Sequence, residues 1–294
     1  PKYRKLYGNM DYGEAQDLWL AKLNEVIDAH CPDYIWMDFG QRFIQEDYRQ
    51  RFLANYFNKA RRVGKEVVVN TKGSFFPTDL AVVNVERATT EDITSEVWIT
   101  DFILGSAWCY DKNKRTALDP ARAIRMLAEV VSKNGVMLLS AGPMPDGTIP
   151  PEQVTAMEGI GEWMQHYGEA IYGTRPFVAF GEGPTKLVRD PDDAWNEYGA
   201  IKKGLQKLHA RDVRFTRKGN TVYAIQLGWK EDDSRTTLTT FAGAARDMGI
   251  AAVSVLGSTE RIKWERTEGG LVVEQPRQKP AVADAALVYK ITLK

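Results

Sequence analysis

Three kinds of residue in this chain could combine to do chemistry. They are carboxylates at the ends of apolar runs (Asp38 and Glu86, with Glu91 and Glu96 close behind), a lysine after a β-branched run (Lys72), and the aromatics Trp36, Trp108 and Tyr110. Two acids facing one cavity, with a cation and aromatics nearby, suit retaining glycoside hydrolysis. One carboxylate attacks the anomeric carbon, while the other protonates the leaving oxygen and then activates water, the carboxyls lying about 5–5.5 Å apart. The run "YIWMD" ends on Asp38 and is followed by Phe39 and Gly40, so Asp38 either opens a turn or is held in a pocket by its strand. By pattern alone Lys72 also reads as a surface charge, Trp108 as core, and Glu91 and Glu96 as competitors of Glu86.

The elements that must position these residues follow from periodicity. From Tyr12 to His30 the apolar residues recur at three and four, the stripe of an amphipathic helix, and Pro32 stops it before a strand expected at Tyr34 to Asp38. A second helix, with Tyr48, Phe52, Tyr56 and Phe57 on one face, is expected to end at Gly64. The runs "EVVVN", "LAVVNVE" and "VWITDFI" read as strands buried on both faces. A helix capped by Asp119 with Pro120 in its first turn is expected to stop at Gly135; "VMLLS" is then a fifth strand, and a last amphipathic helix opens at Pro150–Pro151. Alternating strands and helices predict parallel β with crossovers, a barrel or a doubly wound sheet. In a barrel the chemistry sits at the carboxyl ends of the strands, where Asp38, Asn70 to Lys72, Glu86 and the Gly105 to Tyr110 segment fall. After Arg175 short alternating runs separated by turn residues predict an antiparallel β-sandwich, giving domains at 1–174 and 175–294.

Lys+Arg and Asp+Glu are equal at 39 each, so no net field recruits nucleic acid or an anionic membrane. No apolar run approaches the roughly 20 residues that span a bilayer. No signal peptide is evident, and the sequence starts at Pro1 without an initiator Met, so compartment is left unassigned. Two cysteines and three scattered histidines supply neither a disulfide framework nor a metal cluster. The aromatic content of 11%, with 8 Trp and 12 Tyr, suits a surface that stacks on sugars and equally suits a large core.

Taken together these motifs resemble the α-L-fucosidases of glycoside hydrolase family 29. "YIWMDFG" looks like the family strand whose Asp is the nucleophile, which implies that role for Asp38. "VWITDFILGSAWCYDKN" is similar to the stretch that places Trp98, Gly105, Trp108 and Tyr110. The block from "LAEVVSKNG" to "YGEAIYGTRP" resembles the last barrel strand, its turn (Gly142, Pro143, Asp146, Gly147) and the final helix. The pair Glu86-Arg87 resembles the strand end that carries the acid/base in one branch, with Glu96 as runner-up and Glu91 third. The resemblance further implies that Lys72 stands where some members keep an Arg touching the sugar, that Trp108 packs on the fucose methyl, and that Trp36 and Tyr110 line the pocket.

The expected activity is therefore a retaining exo-α-L-fucosidase without cofactor or metal, acting on fucosylated oligosaccharides or aryl fucosides through a fucosyl-enzyme on Asp38. Two alternatives stay open: a carbohydrate-binding fragment that cuts nothing, and a glycosidase of other specificity on the same scaffold. The family's first three strands have no counterpart here, and five strands cannot close an eight-strand barrel. An open parallel sheet bares edges and an apolar face, so a homodimer or higher oligomer completing the barrel is expected.

Overall fold

The structure is a computed structural model that describes residues 10–38, 41–73, 75–189 and 201–294. The chain forms two compact units, Pro1–Asn84 and Val85–Lys294. Five parallel strands make a half-barrel: β1 (Tyr34–Ile35), β2 (Val68–Thr71), β3 (Val82–Glu86), β4 (Trp98–Ile103) and β5 (Gly135–Ser140), in that order across the sheet. Strand β3 carries the chain from the first unit into the second.

In the first unit, helix α1 (Tyr12–His30) starts at Asp11, whose carboxylate accepts the Glu14 N–H at 2.9 Å. Helix α2 (Glu46–Arg62) is followed by Gly64 in the left-handed region (φ 68°). The two helices and β1–β2 share a core in which Phe52 and Tyr56 are wholly buried and Trp19 meets Phe52 edge-on at 5.6 Å. The strand expected to reach Asp38 is only two residues long. Beyond Ile35 the segment leaves the backbone ladder and is held by a side chain, as described below.

In the second unit, helix α3 (Pro120–Ser132) is capped by Asp119, which accepts the Arg122 N–H at 3.0 Å, and helix α4 covers Pro151–Tyr167. Gly135 is not the helix stop expected from its place in the chain. Asn134 takes the left-handed turn (φ 72°), and Gly135 opens β5, where an added Cβ would lie 2.5 Å from the Trp98 ring and 2.7 Å from Val130. Glycine is there because strand and helix approach too closely for a side chain.

The remainder is antiparallel, as the texture of the sequence predicts. One five-stranded sheet has the order β10 (Ile250–Val255), β13 (Leu287–Leu293), β8 (Thr221–Gln226), β7 (Val213–Lys218), β6 (Arg175–Glu182). A second, of three strands, has the order β11 (Trp264–Thr267), β12 (Gly270–Glu274), β9 (Arg235–Leu238). Phe177, Phe215, Phe241, Leu271 and Tyr289 fill the core of this part. Its first strand begins at Arg175.

Candidate active site

Asp38 stands three residues beyond β1, and the segment that bears it is fixed by Asn70 of β2. The Asn70 Oδ1 accepts the Met37 N–H at 2.5 Å, and its Nδ2 donates to the Met37 carbonyl at 3.0 Å. A buried amide thus supplies both bonds that a neighbouring strand would have made, satisfying backbone groups that are costly to leave unpaired in the interior. Asn70 was visible in the sequence only as a polar residue at a strand end. Its clamp depends on which residue lies opposite, and that is a matter of register.

Lys72, just past β2, donates from Nζ to Asp38 Oδ1 at 2.9 Å. The ammonium is almost fully buried, its side chain 4% exposed, whereas the Asp38 side chain is 64% exposed. The same Nζ lies 5.6 Å from the centroid of the Trp36 ring, which meets Tyr34 edge-on at 5.7 Å. The first unit therefore brings together three of the residues singled out by sequence: a carboxylate open to solvent, a buried cation beneath it, and an indole beside the cation. Phe39 and Gly40, which follow Asp38, lie outside the described residues.

In the second unit Glu86 ends β3 at the carboxyl-terminal rim and is buried, 8% exposed. The chain then kinks: Arg87 adopts φ 50°, its N–H donating to the Asp101 carbonyl at 3.2 Å, and the Ala88 N–H donates to Thr100 Oγ1 at 3.3 Å. Glu96 lies at the other end of the strands. It stands two residues before β4, near Thr94, whose hydroxyl donates to the Glu96 carbonyl at 2.7 Å and whose N–H donates to the Lys133 carbonyl ahead of β5. Glu91 is exposed and lines a small cavity with Lys133, Phe180 and Arg214. Both competitors thus sit away from the rim that holds Glu86.

The segment after β4 carries Trp108, 43% exposed, and Tyr110, partly buried. Gln153 at the start of α4 braces it. Its Oε1 accepts the Gly142 N–H at 3.0 Å, and its Nε2 lies so near Gly105 that an added Cβ there would come within 2.8 Å. Gly142 in turn leaves room for the Tyr110 backbone, which a Cβ would approach to 3.2 Å. After Pro143, Asp146 accepts both the N–H and hydroxyl of Thr148 at 3.0 and 2.7 Å. The hydroxyl bond, with the N–H bond after it, holds the Asp146 carboxyl below its ordinary range, and Gly147 turns with φ 85°. Gln153 carries no sequence signal of its role, because a helix-face amide looks the same whether it braces a loop or faces water. No group of three or more His, Cys, Asp or Glu side chains able to hold a metal occurs among the described residues, and no described helix is long and apolar enough to cross a membrane.

Known proteins share this chain's sequence pattern and fold. An α-L-fucosidase from Branchiostoma floridae is 26% identical over 276 residues, covering 89% of this chain and 53% of its own length. The human tissue α-L-fucosidase is 24% identical, with 93% and 54% covered. The chain thus spans about half the length of the curated relatives it matches. Two solved structures share the fold. One is a Thermotoga maritima α-fucosidase in complex with fucose (TM-score 0.69, 24% identity, 95% of this chain and 56% of that one). The other is an α-L-fucosidase from Bacteroides thetaiotaomicron (TM-score 0.71, 17% identity, 96% and 61%). Residues 2–169 match the family model described as α-L-fucosidase, and residues 207–294 match that of the α-L-fucosidase C-terminal domain. On those two matches, which between them take in both the parallel strands and the antiparallel sheets, the chain belongs to the α-L-fucosidase family.

Proposed function

We propose that this chain is a retaining exo-α-L-fucosidase, with Asp38 as nucleophile and Glu86 as acid/base, releasing terminal L-fucose from fucosylated oligosaccharides or aryl fucosides. The observation that carries the reading is the Asp38–Lys72 pair. A carboxylate exposed to incoming substrate is steadied from below by a buried ammonium 2.9 Å away, on a segment held by Asn70, in a chain of this family. The carboxylate attacks the anomeric carbon and expels the leaving oxygen, forming an ester. Glu86 gives its proton to that oxygen, then takes one from the water that cleaves the ester and restores Asp38. Glu86 is buried at the end of β3, on the rim where that proton is needed. Glu86 is preferred to Glu96 and Glu91 because in a parallel barrel the chemistry belongs to the carboxyl-terminal rim. Trp36, Trp108 and Tyr110 offer apolar and hydroxyl contacts to the sugar, Trp108 against its methyl group, with residues 1–174 as catalytic domain and 175–294 as β-sandwich.

The test is release of an aryl fucoside's chromophore by purified protein. Asp38→Ala abolishes release while circular dichroism stays that of the folded chain, and Glu86→Gln lowers kcat by about 10²–10⁴-fold on a poor leaving group. Release unchanged in Asp38→Ala removes that residue from the mechanism.

The same reading includes a second copy of the chain covering the open sheet. On β5, Trp98↔Gly135 and Phe102↔Leu139 face helix α3, while Val136 and Leu138, opposite Ile99 and Asp101, lie on the other face and remain 49% and 46% exposed. Apolar residues on an edge strand favour association.

A further inference from the structure

The segment between β4 and α3, residues 105–117, has no regular secondary structure, and its ends meet: the Leu118 N–H donates to the Leu104 carbonyl at 2.7 Å. A surface loop closed at its neck is an Ω-loop, a form that often carries binding residues. Trp108 stands in it, 43% exposed, and among the described residues its indole has no ring or hydrogen-bond partner. On the side of α3 the neck backs onto a cavity of about 560 Å³, lined by Gly105, Ser106, Thr116, Ala117 and Leu118 among others, so little holds it from there. Loops with few buried contacts open at low free energy.

The holds that exist are specific. Within the loop the Ser106 hydroxyl donates to the Lys114 carbonyl at 2.9 Å. Across it, the Arg115 guanidinium grips Glu152 in the first turn of α4, Nε to Oε1 at 3.3 Å and Nη2 to Oε2 at 3.2 Å. A fork on both oxygens fixes direction as well as distance. The hydrogen bond from Glu152, and to a smaller degree Tyr110, raises the Arg115 pKa above its ordinary value, so Tyr110 lies within electrostatic reach of the pair. Gln153, the next residue of α4, lies against Gly105 at the neck. The two side chains of the ion pair are 54% and 25% exposed, and a pair in that setting shifts an equilibrium by up to about fivefold. That is enough to bias a loop between two positions and too little to lock it.

We infer that residues 105–117 form a flap that closes on the sugar, and that Arg115 and Glu152 are positioning residues that latch it, setting Trp108 and Tyr110 for the bound fucoside. The inference rests on the fucosidase reading and deepens it. Such a latch acts on the fraction of molecules ready to bind. Its loss weakens apparent affinity by that fraction, whereas at saturation the bound sugar itself draws the flap down.

Hydrogen exchange read by mass spectrometry tests the latch without turnover. In Arg115→Gln and in Glu152→Gln, peptides covering 105–117 should exchange about two- to fivefold faster than in the wild type, with α3 and β4 unchanged and the double variant no faster than either single one. L-fucose should slow the same peptides in the wild type and slow them less in the variants. On an aryl fucoside each single variant should raise KM about two- to fivefold, with kcat within about twofold and the double variant no worse. Additive effects of the two substitutions, faster exchange spread over the whole chain, or wild-type exchange in the loop overturns the latch. A KM unmoved while the loop exchanges faster overturns its part in binding. A wild-type chain that turns over no fucoside removes the hydrolase reading alone, and loop exchange with its slowing by L-fucose then decides the latch.

Discussion

The carboxamide of Asn70 replaces two rungs of a β-ladder, and the position of Asp38 depends on it. Asn70→Ala leaves the Met37 N–H and carbonyl without these partners, which should cost about 1–3 kcal/mol in urea unfolding. On an aryl fucoside it should lower turnover by about 10²-fold by loosening the nucleophile's segment. Asn70→Asp keeps the acceptor and loses the donor, so it should fall between the two proteins in both measurements. An Asn70→Ala chain with wild-type stability and turnover would show that the Asn70 clamp is not what places Asp38. At this scale the sequence was a fair guide to residue types. Asp38 ends one recognisable apolar run, Trp36 lies within it and Lys72 follows another, and the three stand together. The clamp itself was hidden, since it joins residues 33 apart through a register that no periodicity reveals.

Among the elements, helix α3 has two fixed neighbours. Against β4 and β5 it packs so closely that position 135 admits only glycine. Gly135→Ala should destabilise the chain by about 1–3 kcal/mol, read as a lower urea midpoint at unchanged slope, because Trp98 and Val130 must both move. Toward β7, Glu129 of α3 is buried between Lys133, whose Nζ lies 2.6 Å from it, and the Arg214 guanidinium, which donates to its other oxygen. Phe180 is packed beneath both cations, at 4.2 and 5.6 Å. Burial by itself pushes the Glu129 carboxyl up, but the charges of Arg214 and Lys133 outweigh it and hold the group below the ordinary carboxylate range.

A depressed carboxylate contributes stability that is present above its unfolded value and lost as pH falls through its folded one. Glu129→Gln should therefore cost about 3–5 kcal/mol at neutral pH, and the gap between variant and wild type should narrow below about pH 4.5. A gap independent of pH would mean that the ion pairs are not its source. The helices and strands were largely legible from their apolar stripes and caps. The function of Gly135 was not, because a glycine after a helix reads as a stop whether or not a ring lies against it, and Glu129 and Arg214 are 85 residues apart.

For the whole molecule, the half-barrel was legible as a count of strands, five where the resemblance calls for eight. The exposed row on β5, Val136 and Leu138, carries no local signal of a partner. If a second copy covers it, light scattering should give twice the mass of one chain, and Leu138→Glu should return the single mass. Turnover should fall on dilution over the same concentration range as the mass. A single-chain mass at all concentrations with full activity excludes the paired arrangement.

The ion cluster around Glu129 also bears on how this protein can be divided. The change of texture at Arg175 invites a cut there, to prepare the parallel strands as an independent module. Such a fragment would keep a fully desolvated glutamate while discarding Arg214, one of the two cations that neutralise it, together with the ring of Phe180. Modular truncation at that seam should thus give material that collapses or precipitates, and the two textures are best treated as one inheritable piece.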